Sequence, residues 1–94
     1  MSRLCDVVDL ITYLPDGTPQ YRQAFAVRKS IPRNEFFAAG QGGIRPAVMF
    51  EVWDFEYANE AALRHQNAVY SIYRSYARKG ERVELYCEVR PGGH

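Results

Sequence analysis

Charge of one sign, clustered metal ligands and long apolar runs are all scarce in this chain, and each shortage removes a class of function. Twelve basic side chains stand against eleven acidic ones, a net charge of +1 over 94 residues. Duplex-binding proteins draw much of their affinity from neutralised phosphates and carry a marked basic excess. Dedicated duplex binding is therefore disfavoured, while brief contact with DNA is not. The two histidines, His65 and the terminal His94, have no ligand partner at helical or hairpin spacing, and the two cysteines, Cys5 and Cys87, form no CxxC or Cys/His group. No metal centre is expected from such spacing. The cysteines read as small buried hydrophobes of a reducing compartment, with a disulfide between neighbouring strands left open. No apolar leader opens the chain and no run reaches membrane-spanning length, so a soluble protein made in the cytoplasm is expected.

Catalytic machinery is equally sparse. A catalytic site gathers a nucleophile, a base and an orienting group, and no such set stands out. His65 lies beside a turn signal and reads as a solvated strand residue. Asp54 and Glu56 can share a face that would suit a cation, but solvated strand-end charges account for them as well. The Gly40-Gln41-Gly42-Gly43 run follows a helical turn instead of opening one, unlike a phosphate-cradling loop. The chain is expected to be no enzyme and to need no cofactor.

What the chain does have is aromatics and a period of two. Five Phe, seven Tyr and one Trp suit pleated sheets better than helices. Val8, Leu10, Thr12 and Leu14 alternate with Val7, Asp9, Ile11 and Tyr13, and Pro15-Asp16-Gly17-Thr18 then signals a turn. Tyr21, Gln23, Phe25 and Val27 alternate with Arg22, Ala24, Ala26 and Arg28, predicting a hairpin with the first strand. Further strands are expected at 48–53, 60–65, 69–76 and 82–90, with a bend at 54–59 and turns at Gln66-Asn67 and Lys79-Gly80. In the 69–76 strand, Tyr70, Ile72 and Tyr76 fall opposite Val69, Ser71, Tyr73 and Ser75. The 60–65 segment is the weakest, because Ala-Ala-Leu-Arg suits a helical turn equally. The fold class is all-β: one domain over 1–94, a small antiparallel β-barrel or rolled sheet of about six strands, with a frayed tail at 91–94. One short helix and a long mobile loop at 31–46 complete it.

That loop is the unusual part. Ser30 and Pro32 suit a helix start, Glu35 suits the positive end of the helix dipole, and Gly40 suits a left-handed stop. So short a helix needs packing to persist, and partial or conditional order is expected. Phe36 and Phe37 stand side by side in it, and Arg28, Lys29, Arg33 and Arg45 surround it. A second cationic group, Arg74, Arg78, Lys79 and Arg82, lies near the last hairpin. Solvated faces explain both groups, and a negatively charged partner is the alternative. The tyrosines, Tyr13, Tyr21, Tyr57, Tyr70, Tyr73, Tyr76 and Tyr86, offer either cross-strand packing or a stacking platform for single strands.

The segments DVVDLITY, VRKSIPRNEFFAAGQGGIRPAVMFEV, YANE and QNAVYSIYRSYARKGERVELYCE together resemble the head-closure family of tailed bacteriophages. These are small head–tail adaptor or stopper proteins, and the similarity runs from about Asp6 to Glu88. The most specific parts are S-x-x-R-x-E-F-F-x-A with its glycine loop, and Y-x-I-Y-R-x-Y followed by V-E-L-Y-C. The resemblance implies a β-barrel that is monomeric in isolation and forms a dodecameric ring in the virion, below a portal–adaptor protein. It implies partners in that adaptor, in a tail-completion or tail-terminator protein and, transiently, in packaged double-stranded DNA, with no membrane involved. By position it assigns the channel-gating loop to Arg33, Asn34, Glu35, Phe36, Phe37, Ala38, Ala39, Gly40, Gln41, Gly42, Gly43, Ile44 and Arg45, flanked by Ile31-Pro32 and Pro46. The alternatives are a single-stranded nucleic-acid-binding barrel, or a tail-terminator or tail-completion protein.

Overall fold

The computed structural model describes residues 6–77 and 81–89. The expectations at Cys5, Arg78, Lys79-Gly80, Arg90 and the 91–94 tail lie outside the described residues. In chain order the elements are β1 (Asp6–Tyr13), β2 (Pro19–Lys29), α1 (Arg33–Gln41), β3 (Pro46–Trp53), a 3-10 turn (Asp54–Glu56), β4 (Ala62–His65), β5 (Ala68–Ala77) and β6 (Arg82–Val89). The strands close into one barrel in the order β1-β2-β3-β6-β5-β4, every neighbouring pair antiparallel.

Two turns set the registers. Between β1 and β2, the Gly17 amide donates to the Leu14 carbonyl and the Leu14 amide to the Thr18 carbonyl. Gly17 takes φ of 91°, which a side chain would strain, and Asp16 accepts from the Thr18 amide. Between β4 and β5, Gln66 and Asn67 form a two-residue loop with φ of 50° and 71°. Two successive positive φ values match the twist of the flanking strands. The ambiguous 60–65 segment resolves as strand β4. It pairs Leu63 with Leu10 and Arg64 with Asp9, and this pairing closes the barrel.

Alternation fills the interior. Val8 and Leu10, Val48, Phe50 and Val52, Leu63, and Val83, Leu85 and Cys87 form the core, with Tyr57, Tyr70 and Ile72 packed against it. β2 contributes only Ala24 and Ala26, and turns Tyr21 and Phe25 outward. Small residues on β2 leave room for Phe50, which is fully buried and meets the rings of His65 and Tyr70. His65 is thus a buried residue, against the solvated position expected for it. Its short strand points it inward beside Phe50, and its Nε2 lies 3.5 Å from an Asp6 carboxylate oxygen. Cys87 is a free thiol in the core, and burial pushes its pKa up to about 12.

Three carboxylates that look like surface charges in the sequence are buried and paired instead. Glu51 bridges Lys29 at 3.0 Å and Arg82 at 3.3 Å across three strands. Glu60 takes Arg22 at 2.6 Å and the Ala58 amide at 2.8 Å. Burial alone would raise the Glu60 pKa, but these hydrogen bonds outweigh it and hold the carboxyl below its ordinary value. Arg22 also donates to the Glu56 carbonyl, so one side chain ties the 3-10 turn and the crossover to β2. The third, Glu35, belongs to the helix.

Two bulges break the alternation. One inserts Ala47 at the start of β3, and the other inserts one residue in β5 between Ile72 and Arg74. After the second bulge the phase of β5 inverts: Arg74 stands opposite Tyr86 and Tyr76 opposite Glu84, both on the outer wall. Tyr76 therefore leaves the face of Tyr70 and Ile72, to which strict alternation assigns it. Truncation at the centre of the core should be severe. Phe50→Ala is expected to cost about 3–5 kcal/mol, a large share of a small domain's typical stability, read as a lowered midpoint in urea unfolding.

Candidate functional site

The 31–46 segment, expected as a loop, is mostly helix. α1 fills nine residues of the expected loop, Arg33–Gln41, leaving irregular backbone only at 30–32 and 42–45. Pro32, with φ −61° and ψ 147°, is the residue before the helix and caps it with no side-chain hydrogen bond. Its carbonyl accepts from the Phe36 amide, so the ring presets the chain for entering the helix. Ser30 stays outside. Gly40 lies within the helix, and the left-handed stop is Gly43, at φ 84°. The Ile44 amide bonds to the Ala39 carbonyl and the Gly43 amide to the Gly40 carbonyl, the paired bonds of a Schellman end. The shift from Gly40 to Gly43 follows from geometry: Ile44 must follow the left-handed residue for its amide to reach back to Ala39.

One side chain fixes this helix to the barrel. Glu35 is buried, and its two carboxylate oxygens accept separately, one from Arg74 at 2.6 Å and one from the Tyr73 hydroxyl at 3.0 Å. The β5 bulge makes this possible, because it sets two consecutive residues, Tyr73 and Arg74, toward the same carboxylate. Arg74 also lies over the Tyr86 ring at 4.9 Å, and Tyr73 meets Tyr86 edge-on at 6.3 Å. Tyr86 closes the cluster by donating to Glu84 at 2.9 Å. Burial raises the Tyr73 pKa well above the ordinary phenol range, and its bond to the Glu35 carboxylate adds to this. Burial and then Glu84 push Tyr86 up to about 12.

The rest of the segment divides into two faces. Ala39 is buried, and with Glu35, Ala38, Ile44, Tyr73 and Arg74 it lines a small hollow between helix and wall. Phe36 and Phe37 point away and remain 51% and 64% exposed. Arg33, Asn34, Gln41 and Arg45 are exposed as well, and Gly40 and Gly42 stand in or beside the last turn. Phe36 borders a cleft of about 480 Å³, whose other walls include Arg28, Lys29, Ile31, Pro46 and Val48. The last β2–β3 pair is Lys29 with Met49, so the two strands part at this cleft. Among the described residues Arg28, Arg33 and Arg45 have no ion-pair partner, whereas Lys29 is held by Glu51.

Phe36 and Phe37 lie on the short helix with Arg33 at its start and Arg28 and Lys29 in the adjoining cleft; Tyr73 and Arg74 as the helix anchor are not foreseen in the sequence. The only signal was the run Y-S-I-Y-R-S-Y, in which strict alternation leaves an outward Tyr and an inward Arg. An arginine cannot be buried unpaired in a small core, which is a hint of a bulge. The tyrosines share no single platform. Tyr57 and Tyr70 pack against the core, Tyr21 lies under Arg64, and Tyr73, Tyr76 and Tyr86 are on the opposite wall. No group of three or more His, Cys, Asp or Glu side chains able to hold a metal occurs among the described residues.

Two outcomes test this anchor. Glu35→Gln removes the ion pair but keeps one acceptor oxygen, and Glu35→Ala removes both; about 1–3 kcal/mol of helix docking should be lost with the alanine, seen as faster amide exchange in 33–44 while the barrel amides keep their protection. The second outcome follows from proton linkage. Tyr86 is harder to ionise folded than unfolded, so its contribution is complete below its ordinary value near 10 and is lost as pH rises toward about 12. Alkaline titration followed by tyrosinate absorbance should show late-ionising tyrosines, with stability falling across that window. No protein-family model matches the chain, and no curated protein matches it.

Proposed function

We propose that this chain is a structural protein of a tailed-bacteriophage head–tail connector, forming a ring below the portal–adaptor, closing the DNA channel with the 33–45 segment and presenting the surface that receives the tail. The resemblance of its motifs to head-closure proteins supports the class. One observation carries the gating role: two adjacent phenylalanines, Phe36 and Phe37, stay exposed on a helix that a single carboxylate pins to a closed barrel.

A monomer gains nothing by exposing two large aromatic side chains, and exposed apolar groups of this kind mark contact surfaces. Repeated around a ring, such helices meet one another, and each weak contact is multiplied by the number of subunits. The short irregular stretches 30–32 and 42–45 allow the helix to be re-aimed once Glu35 lets go. Arg33 and Arg45, both exposed and without ion-pair partners among the described residues, are available to phosphates or to an adjoining subunit's carboxylates. The single-stranded nucleic-acid reading has less behind it, since the tyrosines are spread over both faces of the wall.

The test uses the parent phage. Phage carrying Phe36→Ser together with Phe37→Ser should package DNA normally and then lose it from filled heads before tails join, measured as nuclease-sensitive DNA after head purification. Filled heads that kept their genome and joined tails as well as the parent would overturn the gating role.

A further inference from the structure

The other end of β3 carries a feature that the gating role does not use. Phe55, in the 3-10 turn, is 81% exposed, the most exposed large apolar side chain among the described residues. It is not floppy: its ring stacks on Trp53 at 6.1 Å and 11°, and Trp53 is held from beyond by the Arg82 guanidinium at 5.2 Å. The turn itself is tied down through the Asp54 amide to the Glu81 carbonyl and through Arg22 to the Glu56 carbonyl. Asp54 and Glu81, which flank this knob, have no ion-pair partner among the described residues.

At the start of the same strand lies the cleft of about 480 Å³ bordered by Ile31, Phe36, Pro46 and Val48, with Arg28 at its edge. The two features are complementary as projection and recess, and in the sign of the charge beside them. One is a preorganised aromatic projection beside unpaired carboxylates. The other is a recess where β2 and β3 part, in which Ile31, Phe36, Pro46 and Val48 stand among the polar Lys29 and Ser30 and the unpaired guanidinium of Arg28. A cleft of that size lies within the range that accepts a bulky side chain and its flanks.

We infer that this protein associates head to tail with a second copy of itself, Phe55 of one chain seating in the Arg28–Phe36–Val48 cleft of the next, with Asp54 meeting Arg28. The two surfaces sit at opposite ends of one eight-residue strand, about 25 Å apart. With one knob seated per pair of copies, the contact is not two-fold. It is heterologous, and it generates a ring or a filament according to the rotation between copies. The contact does not need the connector reading, although a ring would satisfy both. It also gives Phe36 a role within the association, as one wall of the socket, distinct from Phe37.

The surfaces are small, so the contact is weak for one pair, and the purified chain should be monomeric at micromolar concentration and associate near about 1 mM. Sedimentation equilibrium of three chains decides it: the parent, Phe55→Ser, and Arg28→Asp. Both substitutions lie on exposed positions, and far-UV circular dichroism checks that each variant folds. Each variant alone should associate at least tenfold more weakly than the parent. Mixed in equal amounts they should form one-to-one dimers and nothing larger, because one chain keeps only its socket and the other only its knob. A parent that stays monomeric at about 1 mM, a Phe55→Ser chain that associates like the parent, or a mixture that forms no dimer overturns the inference. Phe37, which does not line the socket, separates the two readings: Phe37→Ser alone should leave this association unchanged while filled heads lose DNA.

Discussion

Closure of the barrel by four residues is the constraint on which the other features depend. β4 is only Ala62–His65, yet it bonds to β1 on one side and β5 on the other, and so joins the two ends of a six-stranded sheet. Left open, β1 and β5 would each present unpaired backbone, the template on which sheets aggregate. Closed, the wall is stiff enough for irregular pieces to hang from it. The buried charges follow the same plan. Lys29–Glu51–Arg82 crosses β2, β3 and β6 on the outer wall, and Arg22–Glu60 ties the crossover to β2. Each uses a carboxylate that the barrel surface shields from water, where breaking one partner is far more costly than the pair's net worth.

Against that frame the helix is an attachment with a narrow foot. Its apolar side is only Ala39 and the adjoining Ile44, and its polar grip is Glu35 on Tyr73 and Arg74. A helix buried by leucines would belong permanently to its own subunit. One held by an alanine and a carboxylate is docked without being absorbed, and its phenylalanines face outward. The proposed gating role and the proposed end-to-end contact both draw on this economy of packing, one through Phe37 and the ring axis, the other through Phe36 and the cleft.

Much of the fold is legible in the sequence because local chemistry and global topology agree. Pro15-Asp16-Gly17 and Gln66-Asn67 mark real turns, and Val83, Leu85 and Cys87 alternate into the core as their spacing says. The losses have specific causes. His65 reads as a surface residue because its polarity says nothing of Phe50, whose ring shelters it in the fold. Gly40 reads as the helix stop because three glycines in four residues are equivalent on paper, and only the back-bonds to Ala39 and Gly40 choose Gly43. The anchor was hidden for a subtler reason. A β-bulge has no residue signature of its own, so the two-to-one step in β5 and the partners it gives Glu35 emerge only when β5 is laid beside β6.

That step has an evolutionary reading. Removing Tyr73 would restore perfect alternation, an apparent improvement in regularity, and would keep Tyr76 opposite Glu84, yet it would leave the carboxylate on the helix with one donor at most. The barrel's least regular position is thus its least negotiable: insertions and deletions should be tolerated at the hairpin tips and purged from the middle of its fifth strand.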